Sequence, residues 1–242
     1  MTALGTAIAE KLMRMKGVAL GKTPDGGFSL RRERKFLLRP EAIPSLLEIM
    51  ASECQVIEID RQRRQRYRTL YFDTGRFGAY RRHHCGGLPR YKFRVRCYVS
   101  SGALFLEEKY KRRPDITHKR RRPVSACPGH LEQGGQLWRP VLLNEYDRIA
   151  LRYDSLRLTI DWNLKAWLRP DGTPIDFPPL AVLEIKAPLH APATTGILLQ
   201  QARQRLRLRP SSFSKYCLSL SLSPLPLPKA NFRSVLRKAA SL

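Results

Sequence analysis

Alternation of charged and apolar residues is the strongest regularity in the chain. Over Arg90 to Lys111, RYKFRVRCYVSSGALFLEEKYK, the residues Arg90, Lys92, Arg94 and Arg96 share one parity and Tyr91, Phe93, Val95 and Cys97 the other. Side chains alternate faces along a strand, so this spacing predicts a cationic face and an apolar face. After a Ser-Ser-Gly turn the pattern resumes, with Glu107, Lys109 and Lys111 on one side and Leu104, Leu106 and Tyr110 on the other. The same rhythm predicts strands over Ser29 to Leu38, Tyr67 to Asp73, Asn144 to Tyr153, Leu156 to Asp161 and Leu180 to Ala187, with Leu164 to Leu168 returning antiparallel. Period-3.6 stretches predict two helices, one following Pro40 with Ile43, Leu46, Leu47 and Met50 inward, the other over Thr195 to Leu208 with Ile197, Leu198, Ala202 and Leu206 inward. Arg61 to Arg68 reads as a solvated basic run or strand edge. The stretches TGRFGAYRRHHCGGLP and ACPGHLEQGGQLW read as short or irregular, broken by glycine and proline. A Pro-rich tail follows residue 222.

The census is eight or nine strands and two helices, with residues 1–28 a frayed or amphipathic lead-in, 29–222 one domain and 223–242 a tail that is disordered or docked. Many antiparallel strands with charged polar faces suggest a closed β-barrel of about eight strands with a charged lumen and a few flanking helices, mainly β in class.

Composition sharpens this. Forty-five Lys and Arg against 20 Asp and Glu leave a formal charge of +25 in 242 residues, so the partner is anionic. Five cysteines without a CxxC pair point away from a zinc site or disulfide framework and toward a reducing cytosol. His83 and His84 are adjacent, and neighbours on a strand cannot both face one metal. The segment pattern contains neither a membrane span nor a signal-peptide order of charges.

The inner-face candidates are Lys35, Arg94, Arg96, Lys109, Arg148, Arg157, Lys186 and Lys215, with Glu33, Glu107 and Glu184. So many cations repel one another until a string of phosphates binds, and carboxylates among them suggest a divalent metal shared with phosphate oxygens. Glu33 and Glu184 also have the bland reading of ion pairs with neighbouring cations. Asp161 could simply form a turn, and Tyr67, Tyr71 and Tyr98 read as packing.

The motifs ERKFLL (Glu33 to Leu38), TLYFD (Thr69 to Asp73), YKFRVRCY (Tyr91 to Tyr98), LEEKYK (Leu106 to Lys111), EYDRIAL (Glu145 to Leu151), RLTID (Arg157 to Asp161), VLEIK (Val182 to Lys186) and SFSKY (Ser212 to Tyr216) resemble, in order, those of the VTC domain. That domain is the catalytic module of polyphosphate polymerases in the triphosphate tunnel metalloenzyme superfamily, with stand-alone prokaryotic relatives. The resemblance implies a tunnel that transfers the γ-phosphate of ATP to growing polyphosphate. It implies that Lys35, Arg94, Arg96, Lys109, Arg148 and Arg157 bind phosphates, with Lys119 and Lys186 as further contacts. Ser214 and Lys215 would steady the phosphate near the mouth, and Lys215, Arg94, Arg96 and Lys109 would act on the transferring group. Glu184 would hold Mn²⁺ or Mg²⁺, with Glu33 and Glu107 as further metal candidates. Hydrolytic relatives commonly open with Glu-x-Glu-x-Lys; here Arg31 stands at the first position, which weakens water activation. The alternatives are a metal-dependent tunnel triphosphatase or polyphosphatase, and a non-catalytic RNA- or polyphosphate-binding protein. Partners implied are ATP and polyphosphate with no specific nucleic acid, and a membrane-associated partner for polymer export stays open. The location implied is cytoplasmic or peripheral to a membrane; oligomeric state is not indicated.

Overall fold

The computed structural model describes residues 2–20, 31–112, 117–188 and 196–241. In chain order these form α1 (Ala3–Arg14), β1 (Gly17–Ala19), β2 (Arg31–Leu38), α2 (Ile43–Met50), β3 (Gln55–Glu58), β4 (Arg64–Thr74), α3 (Gly78–His84), β5 (Arg90–Tyr98), β6 (Leu104–Lys111) and β7 (Thr117–Val124). There follow β8 (Leu131–Gln133), β9 (Gln136–Tyr153), β10 (Leu156–Leu168), β11 (Pro174–Ile175), β12 (Ala181–Pro188), α4 (Gly196–Arg205), β13 (Arg209–Pro210), α5 (Lys215–Leu222) and α6 (Arg233–Ala240).

The strands make one sheet in the order β13-β2-β12-β10-β9-β4-β5-β6-β7. Its ladders are antiparallel apart from the short β1–β3 pair. Lys35, Arg94, Arg96, Lys109, Glu184 and Lys186 turn to one concave side, as does the Tyr67–Tyr71 parity of β4, whose Arg66 and Arg68 lie on the other face with Asp147 and Glu145. Register fixes this: Arg94 stands opposite Glu107, which stands opposite Arg121, while Lys35 faces Glu184 and Glu33 faces Lys186. The apolar parity faces outward and is covered. Phe36, Leu183, Ile185, Leu158, Ile160, Ile149 and Leu151 pack under α1 and α2, where Ile43, Leu46, Leu47 and Met50 are fully buried. Burying each such side chain stabilises the fold by about 1.5–3 kcal/mol. At one end, α5 and α6 pack against Leu37, Leu180 and Val182.

A closed barrel is not what the ladders show. No ladder joins β7 to β2 among the described residues. The outer edge of β2 is already used by β13, which pairs with Leu37 and Phe36, and the Ser211 N–H donates to the Lys35 carbonyl. At the opposite edge, β7 contains Pro123, which has no N–H to give. Side chains span the gap instead, with Lys119 Nζ 3.2 Å and Lys109 Nζ 3.8 Å from Glu33 carboxylate oxygens.

Three expectations about local structure change, and one open alternative, that of the tail, is decided. Leu164 to Leu168 does not turn back: β10 continues through an irregularity after Trp162, where Asn163 takes a left-handed φ of 52°. The loop read over 126–138 contains a hairpin, because Gly134 and Gly135 supply φ of 59° and 68° between Gln133 and Gln136. The segment 78–84 is helical, its start held by the buried Asp73 carboxylate, which accepts from the Ala79 and Tyr80 N–H groups. The tail docks: Leu227, Phe232, Val235 and Ala239 are buried. Of the strand read from Ser29, residues 29 and 30 lie outside the described residues, as does Thr195 of the second helix and the side chains of Ile197 and Leu198.

Candidate active site

The concave side holds a polar cavity of about 160 Å³. Strands β2, β12, β5, β6, β7 and β9 and the start of α5 supply its lining: Lys35, Lys92, Arg94, Arg96, Lys109, Lys119, Arg148, Lys186 and Lys215, with only Glu33 and Glu184 as carboxylates. Nine cations against two anions in so small a volume is an arrangement that a multiply charged anion relieves.

The arginine side is pre-paired. Asp161, 1% exposed, accepts two bonds from Arg148, at 2.5 and 2.7 Å, and a third from Lys215. Burial raises the Asp161 pKa, but Arg148 and Lys215 outweigh it and hold the carboxyl down at about 2. Asp161 is therefore a buried anchor inside a strand and not a turn former. Glu107 plays the same part on β6. It accepts from Arg94 at 2.6 Å and lies 3.4 Å from Arg96 and 3.8 Å from Arg121. Burial opposes its ionisation, yet Arg94 and Arg96 bring its pKa down to about 2. Glu107 does not line the cavity, and three guanidinium groups already engage it.

The lysine side is under-neutralised. Burial, then Lys119, Lys92 and Lys35, pull the Lys109 pKa down to about 7 against the opposing charge of Glu33. Burial and Arg148 bring Lys186 down to about 8 although Glu184 stands 3.6 Å away. Burial also lowers Lys92. At Glu184 burial works against the charge, but Lys186, Lys35, Arg148 and Lys215 together hold its pKa well below the usual carboxylate range.

Helix α5 closes the cavity. Periodicity assigns no element to this stretch; the structure has a helix there, buried on all sides from Tyr216 to Ser221. Ser214 caps it, accepting from the Cys217 N–H at 3.5 Å and from Lys92 Nζ at 3.0 Å. Both bonds use lone pairs, so the Ser214 O–H is left to donate into the cavity. Lys35 Nζ donates to the Phe213 carbonyl at 3.0 Å, tying β2 to the same turn. Tyr216 donates to Asp73, and Asn231 in the docked tail bonds His84, so the tail backs α5.

Of the sequence candidates, Lys35, Arg94, Arg96, Lys109, Lys119, Arg148, Lys186, Ser214, Lys215, Glu33 and Glu184 come together at this cavity. Arg157 lies further along β10, opposite Lys186 and Arg152, and is not among the lining residues. Lys92, Tyr71, Tyr146 and Tyr216 also line it. Lys92 had a visible signal, since it shares parity with Arg94 and Arg96. His83 and His84 sit on α3, with His84 occupied by Asn231. Among the described residues, no three His, Cys, Asp or Glu side chains gather at one point. Glu33 and Glu184 on adjacent strands, close enough for each charge to disfavour the other, are the carboxylates of the lining. That donor set fits a divalent cation that draws its remaining ligands from phosphate oxygens and water. Among the described residues no helix is long and apolar enough to cross a membrane.

The family profile of the VTC domain matches residues 30–127 and 132–223. No curated protein matches. Among solved structures, a candidate adenylate cyclase from Vibrio parahaemolyticus is 14% identical with a TM-score of 0.49, covering 80% of this chain and 99% of its own. One from Bacillus halodurans is 12% identical with a TM-score of 0.48, covering 77% and 94%. A candidate adenylyl cyclase from Hippeastrum with a dominant triphosphatase activity is 15% identical with a TM-score of 0.47, covering 81% and 98%. Likenesses this distant assign no activity.

Proposed function

This chain belongs to the VTC domain family, and from that premise we propose that it is an ATP-dependent polyphosphate polymerase. The observation that carries the reading is the cavity lining, nine cations and two carboxylates around one small volume. Phosphoryl transfer asks a protein mainly for alignment and for neutralisation of the transferring group. Arg94, Arg96, Arg148 and Lys215, locked by Glu107 and Asp161, are fixed charges that need no rearrangement as the transition state forms. Lys35, Lys92, Lys109, Lys119 and Lys186 bind the flanking phosphates, and the Ser214 O–H donates to one of their oxygens.

In the proposed step a terminal oxygen of the polyphosphate chain bonds to the γ-phosphorus of ATP. The bond from that phosphorus to the β–γ bridging oxygen breaks, and ADP leaves. The attacking oxygen is already an anion at neutral pH, so no general base is required. Water would need one, and both lining carboxylates are engaged by lysines. That favours a phosphate acceptor over water. Glu184, with Glu33, would hold Mn²⁺ or Mg²⁺, which when bound supplies further neutralisation of phosphate oxygens.

Incubation with ATP and Mn²⁺, followed by a polyphosphate gel and assays for ADP and free phosphate, tests this. A ladder with matching ADP is expected. Free phosphate without a ladder would make the protein a triphosphatase. Tight, salt-sensitive binding of RNA or polyphosphate with neither product would leave a binding protein. Glu184→Gln is expected to remove both turnover and the added thermal stability conferred by Mn²⁺ with tripolyphosphate; unchanged Mn²⁺ response in that variant would clear Glu184 of the metal role.

A further inference from the structure

The inner face does not end in charge. One step beyond the cavity, the parity of β5 that carries Arg94 and Arg96 ends in Tyr98, and the parity of β6 that carries Glu107 and Lys109 begins at Phe105. The two rings meet edge to face, with centroids 5.6 Å apart. Arg121 from β7 lies over both, 3.7 Å from the Phe105 centroid and 5.3 Å from that of Tyr98, and donates to the Tyr98 hydroxyl at 2.8 Å. Its tie to Glu107 is longer, 3.8 Å, because Arg94 and Arg96 already hold that carboxylate. The Arg121 side chain is 42% exposed.

From this cluster, rings and cations alternate into the cavity. Tyr98 meets Tyr67 edge-on at 4.8 Å, Arg96 and Arg148 each lie 5.4 Å from the Tyr67 centroid, and Lys215 lies 4.4 Å from that of Tyr146. Inside, Tyr67 and Tyr146 are buried and serve as packing. Tyr98 and Phe105 are only half-buried, and they sit where the cationic lining gives way to solvent. A triphosphate drawn onto the lysines and arginines leaves its organic end outside them. A guanidinium already stacked on a ring presents a flat, polarisable face that receives another planar π-system, and such stacking reads no base edge.

We propose that Tyr98, Phe105 and Arg121 form a nucleobase-stacking platform at the outer end of the cavity, making the phosphoryl donor a nucleoside triphosphate held without base selectivity. The proposal rests on the reading of the cavity as a triphosphate site.

Titration calorimetry with Mg²⁺ separates the two. ATP, GTP and inorganic tripolyphosphate are titrated into the wild type, Phe105→Ala, Phe105→Leu and Phe105→Trp, with melting curves to confirm folding. With the stacked base lost, Kd for ATP and for GTP is expected to rise about tenfold in the Ala and Leu variants. Tripolyphosphate is expected to stay within about twofold, and Trp to restore nucleotide affinity. The platform is overturned if all three ligands weaken together, if none changes, or if ATP alone responds. If the wild type binds none of the three, the cavity reading itself has failed and the platform falls with it. If the wild type binds tripolyphosphate as tightly as ATP and Phe105→Leu changes neither, only the platform falls.

Discussion

The two sides of the cavity carry the same sign of charge but are built differently. On β5, β6, β9, β10 and the start of α5, arginines and Lys215 are matched to the partly buried Glu107 and the buried Asp161. On β2, β6, β7 and β12, four lysines share Glu33 and Glu184, and Lys109 and Lys186 are shifted toward neutrality. Guanidinium groups keep their charge at any relevant pH and hold a carboxylate by a planar fork, so the first side is scaffold and charge at once. Ammonium groups crowded together give up protons, so the second side is unfinished without an anion. Rigidity and receptivity are divided between two residue types.

The largest effect should come from breaking the matched side. Arg148→Met leaves Asp161 buried with one partner, and a broken buried pair costs about 3–5 kcal/mol. Urea unfolding is expected to show a loss of that order; a stability unchanged to within about 1 kcal/mol would mean that Lys215 alone suffices. Next, Arg94→Ala leaves Glu107 with Arg96 and Arg121, so the fold should hold while turnover falls by about 10²–10³, the usual loss for one charge-stabilising donor. A parallel fall in melting temperature would make Arg94 structural.

The lysine side is sharpened by pH. The folded pKa of Lys109, about 7, lies below its ordinary 10.5, so between those values the unfolded chain binds more protons than the folded one. Stability of the ligand-free protein should therefore rise with pH from about 7 to about 10. Bound phosphates reverse the shift, so tripolyphosphate binding at pH 8 should take up protons from the buffer, and affinity should fall from pH 7 to pH 9. Calorimetry in buffers of different ionisation heat measures this. Zero uptake would place the lysine side's charge beyond doubt at neutral pH and erase the contrast with the arginines. Smallest of all, Glu33→Gln removes only partly exposed ion pairs to Lys109 and Lys119 and should change stability by less than about 1 kcal/mol.

Alternation alone makes most of this cavity legible. Lys35, Arg94, Arg96, Lys109, Lys186 and their carboxylates need only a strand and its parity, and Lys92 belongs to the same row. What alternation cannot show is pairing at a distance. Asp161 meets Lys215 across 54 residues, and nothing near Asp161 in sequence distinguishes an anchor from a turn former. Periodicity also leaves α5 without an element, since its Ser and Leu residues alternate in period 2. A helix enclosed on every side has no polar face to reveal its period. Asn163 and the Gly134–Gly135 pair are further cases, since a single left-handed residue decides between continuing, bulging and turning back.

The pairing of β2 with β12 has a consequence for synthesis. Leu37 must wait for Val182 and Lys35 for Glu184, about 150 residues later. At about 5–20 residues per second, this basic strand spends roughly 8–30 s beside ribosomal RNA before its partner exists. A protein whose finished cavity gathers nine cations must first survive, as a nascent chain, the polyanion that makes it.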